Sequence, residues 1–300
     1  MLDNIAILVA APQFNVQLLL DGLFIGAIFA LAAYGLALVW GVMNVKNLAQ
    51  GEFVIMGGYI AFGLEKVGIH PILSLIPTII IMFAFGWLLY VLIIRWIIQH
   101  DMFTSLLATF GIGLVIQQAL NLMFGPEIQT LNSGLEIRYI MDGMVTVSEI
   151  KIVSFVLCCI LALIVVLFMK RSRMGQAIRA TSQDARAAKV MGIDTERVYA
   201  FTFALNAAIC GAAGVLISMI WLIQPFYGIT HSIRSFVIVT AAGFGNLPGV
   251  IAAAFGLGFA EQYSGFVLGA EFQQATVVGL LIVILVWRQM QMARSRQVVK

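Results

Sequence analysis

Three polar side chains able to do chemistry, Asn47, Gln50 and Glu52, stand together in GVMNVKNLAQGEF, residues 41–53. Asn47 with Gln50 three residues later has the form of a helix N-cap with a reciprocal partner. Glu52 then falls in the first turns, where the positive end of the helix dipole favours a carboxylate. Capping explains Asn47 and Gln50, but not the Gly51 that follows at once, since glycine weakens a helix. The competing reading is a broken or re-entrant helix start that lines a pathway. A second group, Ser105, Thr109, Gly113, Gln117 and Asn121, recurs at four-residue spacing. Such positions share one helix face, drifting by about 40° per step. This stripe either hydrogen-bonds to neighbouring helices or lines a hydrated route. Gln117 and Asn121, bulky polar groups near one end of the segment, favour the route.

A third group is basic. RSRMGQAIRATSQDARAAKVMGIDTERV, residues 171–198, carries six Lys and Arg between two segments suited to lipid. Gly175 to Gly192 reads as one amphipathic helix, with Ala177, Ile178, Ala180, Ala187, Ala188, Val190 and Met191 apolar and Arg179, Asp184, Arg186 and Lys189 polar. Gly192 is a natural C′ stop, with Lys189 in the last turn. A helix of this size is marginal alone in water. It needs a surface, either anionic headgroups or a cytosolic protein.

Other chemistry is absent from the pattern. There is no GxxxxGK[ST] phosphate loop, no HExxH and no GxSxG. His70, His100 and His231 are isolated and fall near predicted span ends, where they read as interfacial residues. Cys158, Cys159 and Cys210 lie in apolar runs without CxxC or Cys/His spacing, and behave as small hydrophobes. No catalytic residue, metal site or cofactor is therefore expected. The expected surroundings are a lipid bilayer rather than nucleic acid.

The elements that must position these groups follow from composition. The chain has 300 residues, 62% hydrophobic and only 10% charged. A soluble domain carries about 25% charged residues, so most of this chain needs lipid as solvent. Its apolar runs are continuous rather than alternating, which selects helices over a barrel. The fold class is an all-α polytopic membrane protein of about eight or nine transmembrane helices, with one transmembrane domain over 1–300. Candidate spans are 17–42, 48–65, 71–98, 102–124, 151–169, 197–222, 234–247, 249–268 and 272–288. The second and seventh are short or glycine-broken. The start, MLDNIAILVAAPQ, lacks the basic and cleavage features of a signal peptide.

An ion-coupled carrier is disfavoured, because the ionisable residues inside the spans are few: Asp21 and Glu261 near predicted outer ends, and Glu52 near a cytoplasmic one. Lys and Arg set orientation. Placing 170–197 and the C-terminal tail in the cytoplasm puts the N-terminus outside. Of the 17 Lys and Arg, only Lys66, Arg138, Lys151 and Arg234 are then outside, leaving the other thirteen inside. The 125–150 loop is extracytoplasmic, and its turn signals and β-leaning runs LEIRYI and MVTVS predict a small ordered cap.

Taken together, Gly41–Phe53 followed by Met56-Gly57-Gly58-Tyr59 resembles the GVxxxxNLAHGE…MxGAY signature of the branched-chain amino acid ABC transporter permeases. Gly175–Ala180 and Ala187–Asp194 resemble that family's cytoplasmic coupling loop, and Phe203-Ala204-Leu205 and Gly211–Gly214 are also family-like. The resemblance runs over about residues 15–290. Two departures stand out: Gln50 replaces the usual histidine, and Ala241–Gly249 replaces a GGxGSxxG pattern. The resemblance implies a permease subunit of the bacterial inner membrane, paired with a second related permease, most often as a heterodimer. It implies two cytosolic ATPase subunits that dock on Gly175, Arg179, Ala180, Ala187, Ala188 and Gly192, and a soluble binding protein outside. It implies a substrate path including Asn47, Gln50, Glu52, Ser105, Thr109, Gln117 and Asn121. Branched-chain or other hydrophobic amino acids are the implied cargo, with urea or short amides as the alternative.

Overall fold

A computed structural model describes residues 4, 7–8, 10–98, 102–132, 134–140, 145–243 and 246–297. The chain runs through α1 (Pro12–Met43), α2 (Gln50–Lys66), α3 (Leu75–Ile97), α4 (Met102–Phe124), β1 (Ile137–Ile140), β2 (Val145–Ser148) and α5 (Glu149–Arg171). It continues through α6 (Arg173–Gln183), α7 (Ala185–Val190), α8 (Thr195–Ile220), α9 (Gly228–Ala242), α10 (Leu247–Leu268) and α11 (Phe272–Gln297). Seven of these helices, α1, α3, α4, α5, α8, α10 and α11, are long and apolar enough to cross a bilayer. The protein is an all-α polytopic membrane protein.

The two remaining apolar helices are shorter. At about 1.5 Å per residue, the 17 residues of α2 and 15 of α9 span roughly 25 and 22 Å, less than the ~30 Å hydrocarbon core. The seventh span therefore differs from the sequence expectation. It begins at Gly228, six residues before 234, and ends at Gly243, whose φ of +88° no branched side chain adopts readily.

Two helices form the frame. The most apolar 18-residue windows of α1 and α8 are each 89% buried, against 22–28% for α3, α4, α5 and α10 and 6% for α11. In the outer helices apolar side chains face away from the chain, as Ile76, Ile80, Leu107, Leu114, Ile160, Leu163, Ile282 and Val286 do. That is the inside-out burial a lipid solvent permits. Small residues let the frame close. Gly22 and Gly26 of α1 sit on Phe259 and Phe255 of α10, and Gly258 returns the contact on Gly22 and Gly26. Gly57 meets Gly211, and Gly214 lies under the Val54 carbonyl, so α2 and α8 touch backbone to backbone. Gly256 of α10, by contrast, has open space around it.

Hydrogen bonds sort the loops into two ends. At one end Thr146 N donates to Gln17 Oε1, Asn132 N to Glu65 Oε1, Gln224 Nε2 to the Pro126 carbonyl and Asn4 Nδ2 to the Phe266 carbonyl. This is the end predicted to be outer. The cap there is ordered: β1 and β2 pair antiparallel, with Ile137 opposite Ser148 and Tyr139 opposite Thr146. The Asp142-Gly143 turn lies outside the described residues. Gln129 and Ile223 form a further bridge that ties the cap to the segment after α8.

Gly214→Ala would press a methyl into the Val54 carbonyl and is expected to destabilise by about 1–3 kcal/mol. Gly256→Ala, with open space, should stay within about 0.5 kcal/mol. Thermal unfolding of both variants in one detergent checks the pair.

Candidate functional site

The 41–53 motif turns back into the membrane after α1 and starts the next helix inside it. α1 ends at Met43, and Asn44 takes the left-handed conformation, φ +53°, while its N–H bonds back to the Trp40 carbonyl. Residues 44–49 then climb beside α1, because Gln50 Nε2 donates to the Ala32 carbonyl at 2.8 Å. Ala32 lies eleven residues before Met43, about 16 Å along the helix. So α2 starts near mid-depth. Of the two readings of this motif, the geometry matches a broken helix start.

The capping expectation is corrected in detail. Asn47 Oδ1 accepts from Ala49 N at 3.1 Å, and Ala49 is the N-cap. Gln50 does not return to Asn47. It reaches across to Ala32 and to Cys210 Sγ, at 2.8 Å each. With the N-cap residue an alanine that offers no side-chain bond, the exposed N–H groups need another partner. Gly51 N finds Ser232 Oγ at 2.8 Å, and the same hydroxyl donates to the Leu48 carbonyl at 2.8 Å.

Ser232 belongs to the first turns of α9, which has also entered the membrane from the opposite end. Gly228, its first residue, packs on Gly51 and on the Glu52 carboxylate. Gly51 is glycine because the Gly228 carbonyl occupies the space a side chain would need. Thus α2 and α9 run in opposite senses and meet N-terminus to N-terminus. The Glu52 carboxylate lies where both positive helix ends converge. It is 6% exposed, far more deeply buried than its predicted place at a cytoplasmic edge.

The stripe on α4 divides. Its first half packs on the re-entrant segment: Thr109 Oγ1 accepts from Leu48 N at 3.1 Å and donates to the Ser105 carbonyl at 2.9 Å, and Gly113 faces Glu52 and Ala49. Ser105, Thr109 and Gly113 are therefore joined to Asn47, Gln50 and Glu52. Gln117 and Asn121 are only half-buried, and Asn121 bonds locally to Gln118 at 3.4 Å. The structure does not bring them to the crossing. Several buried polar atoms at the crossing lack a protein partner: Asn47 Nδ2, Gln50 Oε1, Glu52 Oε2 and Asn206 Nδ2.

The basic segment is two helices, not one. Asp184 breaks it, with extended backbone and a carboxylate that accepts from Arg186 N at 2.8 Å and Ala187 N at 3.0 Å. Ser172 caps α6 through Gly175 N, and Asp194 caps α8 through Arg197 N. Gly175 lies directly on the Phe168 and Met169 backbone, and an Arg179 Nη1 donates to the Met169 carbonyl. Gly175 and Ala188 are buried, and Ala180 is half-buried. Ala187 and Gly192 are exposed, as are Val190 at 86% and Met191 at 82%. Gly192 has φ +85° and stops α7 as expected.

Sequence reasoning missed Gly228, Ser232, Asn206 and Cys210. The signal for the first two was Pro225 and Gly228 immediately ahead of an apolar run. The other two carry no local signal. His231 also departs from its interfacial reading, being 7% exposed.

Two helices broken at mid-depth and crossing inside a frame of full spans define a multi-pass membrane permease. The chain belongs to the family described as branched-chain amino acid transport system / permease component, which matches residues 18–286. A high-affinity branched-chain amino acid transport system permease protein, BraD of Pseudomonas aeruginosa, is 29% identical over 287 residues, covering 91% of this chain and 93% of that protein. LivH of Salmonella typhimurium, described in the same words, is 28% identical, covering 90% and 92%. A probable LivH of Methanocaldococcus jannaschii is 26% identical, covering 85% and 83%.

Ser232→Ala removes the acceptor of Gly51 N and leaves it orphaned in the membrane, at a cost of about 1–3 kcal/mol. The expected result is a lowered unfolding midpoint, partly restored by Ser232→Thr, measured by thermal scanning in nanodiscs.

Proposed function

We propose that this chain is the membrane subunit of an ATP-driven importer of branched-chain or other hydrophobic amino acids in the cell inner membrane. Its relatives are described as branched-chain amino acid permeases, which favours that cargo over urea. The observation that carries the reading is the crossing of α2 and α9. Discontinuous helices at mid-depth are a recurring way to build a transport site. Unpartnered buried polar atoms are costly, and four of them, on Asn47, Gln50, Glu52 and Asn206, support a path through this place. Asn47 and Gln50 are fully buried, so this conformation is closed there. Ser105 and Thr109 support the closed crossing, while Gln117 and Asn121 line the approach from the outer end.

Hydrolysis of ATP belongs to a separate pair of ATPase chains, docked on the basic end. Val190, Met191, Ala187 and Gly192 form the exposed apolar knob that would enter them. Gly175, Arg179, Ala180 and Ala188 act from behind, fixing α6 and α7 on the end of α5. A second related permease completes the path, and a soluble binding protein delivers cargo to the 125–150 cap. The whole of 1–300 works as one permease domain, with 170–197 in the cytoplasm. Only a differential interaction with two states can switch the path, and the knob transmits it to α8.

Met191→Asp places a charge in the proposed docking surface without touching the membrane core. Leucine uptake by proteoliposomes of the complete transporter should fall by about tenfold or more, with unchanged insertion. Full uptake in this variant would remove the docking role from α7.

A further inference from the structure

Apart from the crossing, the structure holds a chamber of about 340 Å³ between α1, α9, α10 and α11. Trp221, Leu222, His231, Arg234, Gln262 and Gln274 are among its walls. Its chemistry centres on Arg234. This side chain, 12% exposed, gives its Nε to Glu261 Oε1 at 2.7 Å, and Glu261 is itself 2% exposed. The guanidinium stands 5.1 Å from the Phe29 ring centre and 5.6 Å from that of Trp221. Two adjoining rings and a carboxylate on Nε fix the plane of the fork. The terminal nitrogens remain as paired donors, the geometry that receives a carboxylate.

Lys151, also in the wall, is tied to Asp21 at 2.6 Å. The two cations and two anions around the chamber cancel. A solute with net charge would leave a surplus charge in a poorly solvated place, which is expensive. A zwitterion would not. Acceptors for its cationic end are at hand in the amide carbonyls. Gln274 gives its Nε2 to Thr230 Oγ1 at 3.0 Å, which leaves its carbonyl oxygen as an acceptor, and Gln262 adds another. Ile25, Trp221 and Leu222 supply an apolar wall. The size lies at the small end of the range for ligand sites.

We propose that this chamber is the permease's own receiving site for a zwitterionic amino acid with an apolar side chain. The carboxylate sits on the terminal nitrogens of Arg234, the ammonium on the carbonyls of Gln262 and Gln274, and the side chain on Trp221 and Leu222. The site lies beside the crossing, on the first turns of α9, and takes in Lys151, Trp221 and Leu222 from the end predicted to be outer. Its assignment rests on the amino-acid import reading above.

The test uses the assembled transporter in nanodiscs, without binding protein, and reads Trp221 fluorescence as leucine is added. Trp221→Phe supplies the background. The expected result is a saturable change with leucine. Leucinamide, which lacks the carboxylate, and 4-methylpentanoate, which lacks the ammonium, should each need about tenfold or more higher concentration. Arg234→Met combined with Glu261→Met removes both charges without orphaning either, and should abolish the saturable change. No saturable change in the parent protein, or equal response to all three solutes, overturns the proposal even if the double variant does not fold. ATP-driven leucine uptake is measured on the same preparation. Uptake without a Trp221 response sinks the chamber alone, whereas no uptake of any apolar amino acid sinks the import reading and the chamber with it.

Discussion

Everything at the centre of this protein depends on how one cut helix end is satisfied by the start of another. A helix that begins inside a bilayer exposes N–H groups with no water to receive them. Here one hydroxyl, Ser232 Oγ, serves both sides of the break: it accepts from Gly51 and donates to Leu48. The Gly228 carbonyl lies on Gly51, and Glu52 brings a carboxylate to the joint positive ends. The start of α2 is not self-sufficient: a hydroxyl of α9 serves as its cap.

The frame around this joint explains why it holds. α8 is an unbroken helix from Thr195 to Ile220, and it carries both ends of the argument. Its first turn is capped at the basic elbow by Asp194, and its middle touches the crossing through Cys210, which accepts from Gln50. Asn206 fills the place left by Gly35 of α1. One continuous helix thus joins the elbow to the crossing, with no loop between them.

Much of this was legible in the sequence, and the rest was hidden for physical reasons. Continuous apolar runs disclosed the order of the seven helices long enough to span and of the two shorter ones, because the hydrocarbon core sets span length. Gly51 disclosed the broken start of α2, since it made no sense as an ordinary helix residue. The partner of that break was not visible: Gly51 and Ser232 are 181 residues apart, and nothing local announces the pairing. Asp184 was legible as a polar residue but not as a cap, because its position inside an amphipathic pattern concealed the interruption. Ser105 and Thr109 share a face with Gln117 and Asn121, yet only the first pair meets the re-entrant segment. Periodicity gives the face of a helix but not how far along it a neighbour extends. Arg234 and Glu261 looked like scattered charges near span ends, and only the fold brings them to 2.7 Å.

The glycine contacts between α2 and α8 have a mechanical consequence. Side chains that interdigitate act like teeth, and moving past them means lifting out of one notch and into the next. Where Gly57 meets Gly211 and Gly214 meets the Val54 carbonyl, there are no teeth. Such a seam resists being pulled apart, since the backbones are in contact. What stops it from sliding lies beyond the glycines, where the Phe53 ring packs edge-on against Phe203 and Gln50 Nε2 donates to Cys210 Sγ.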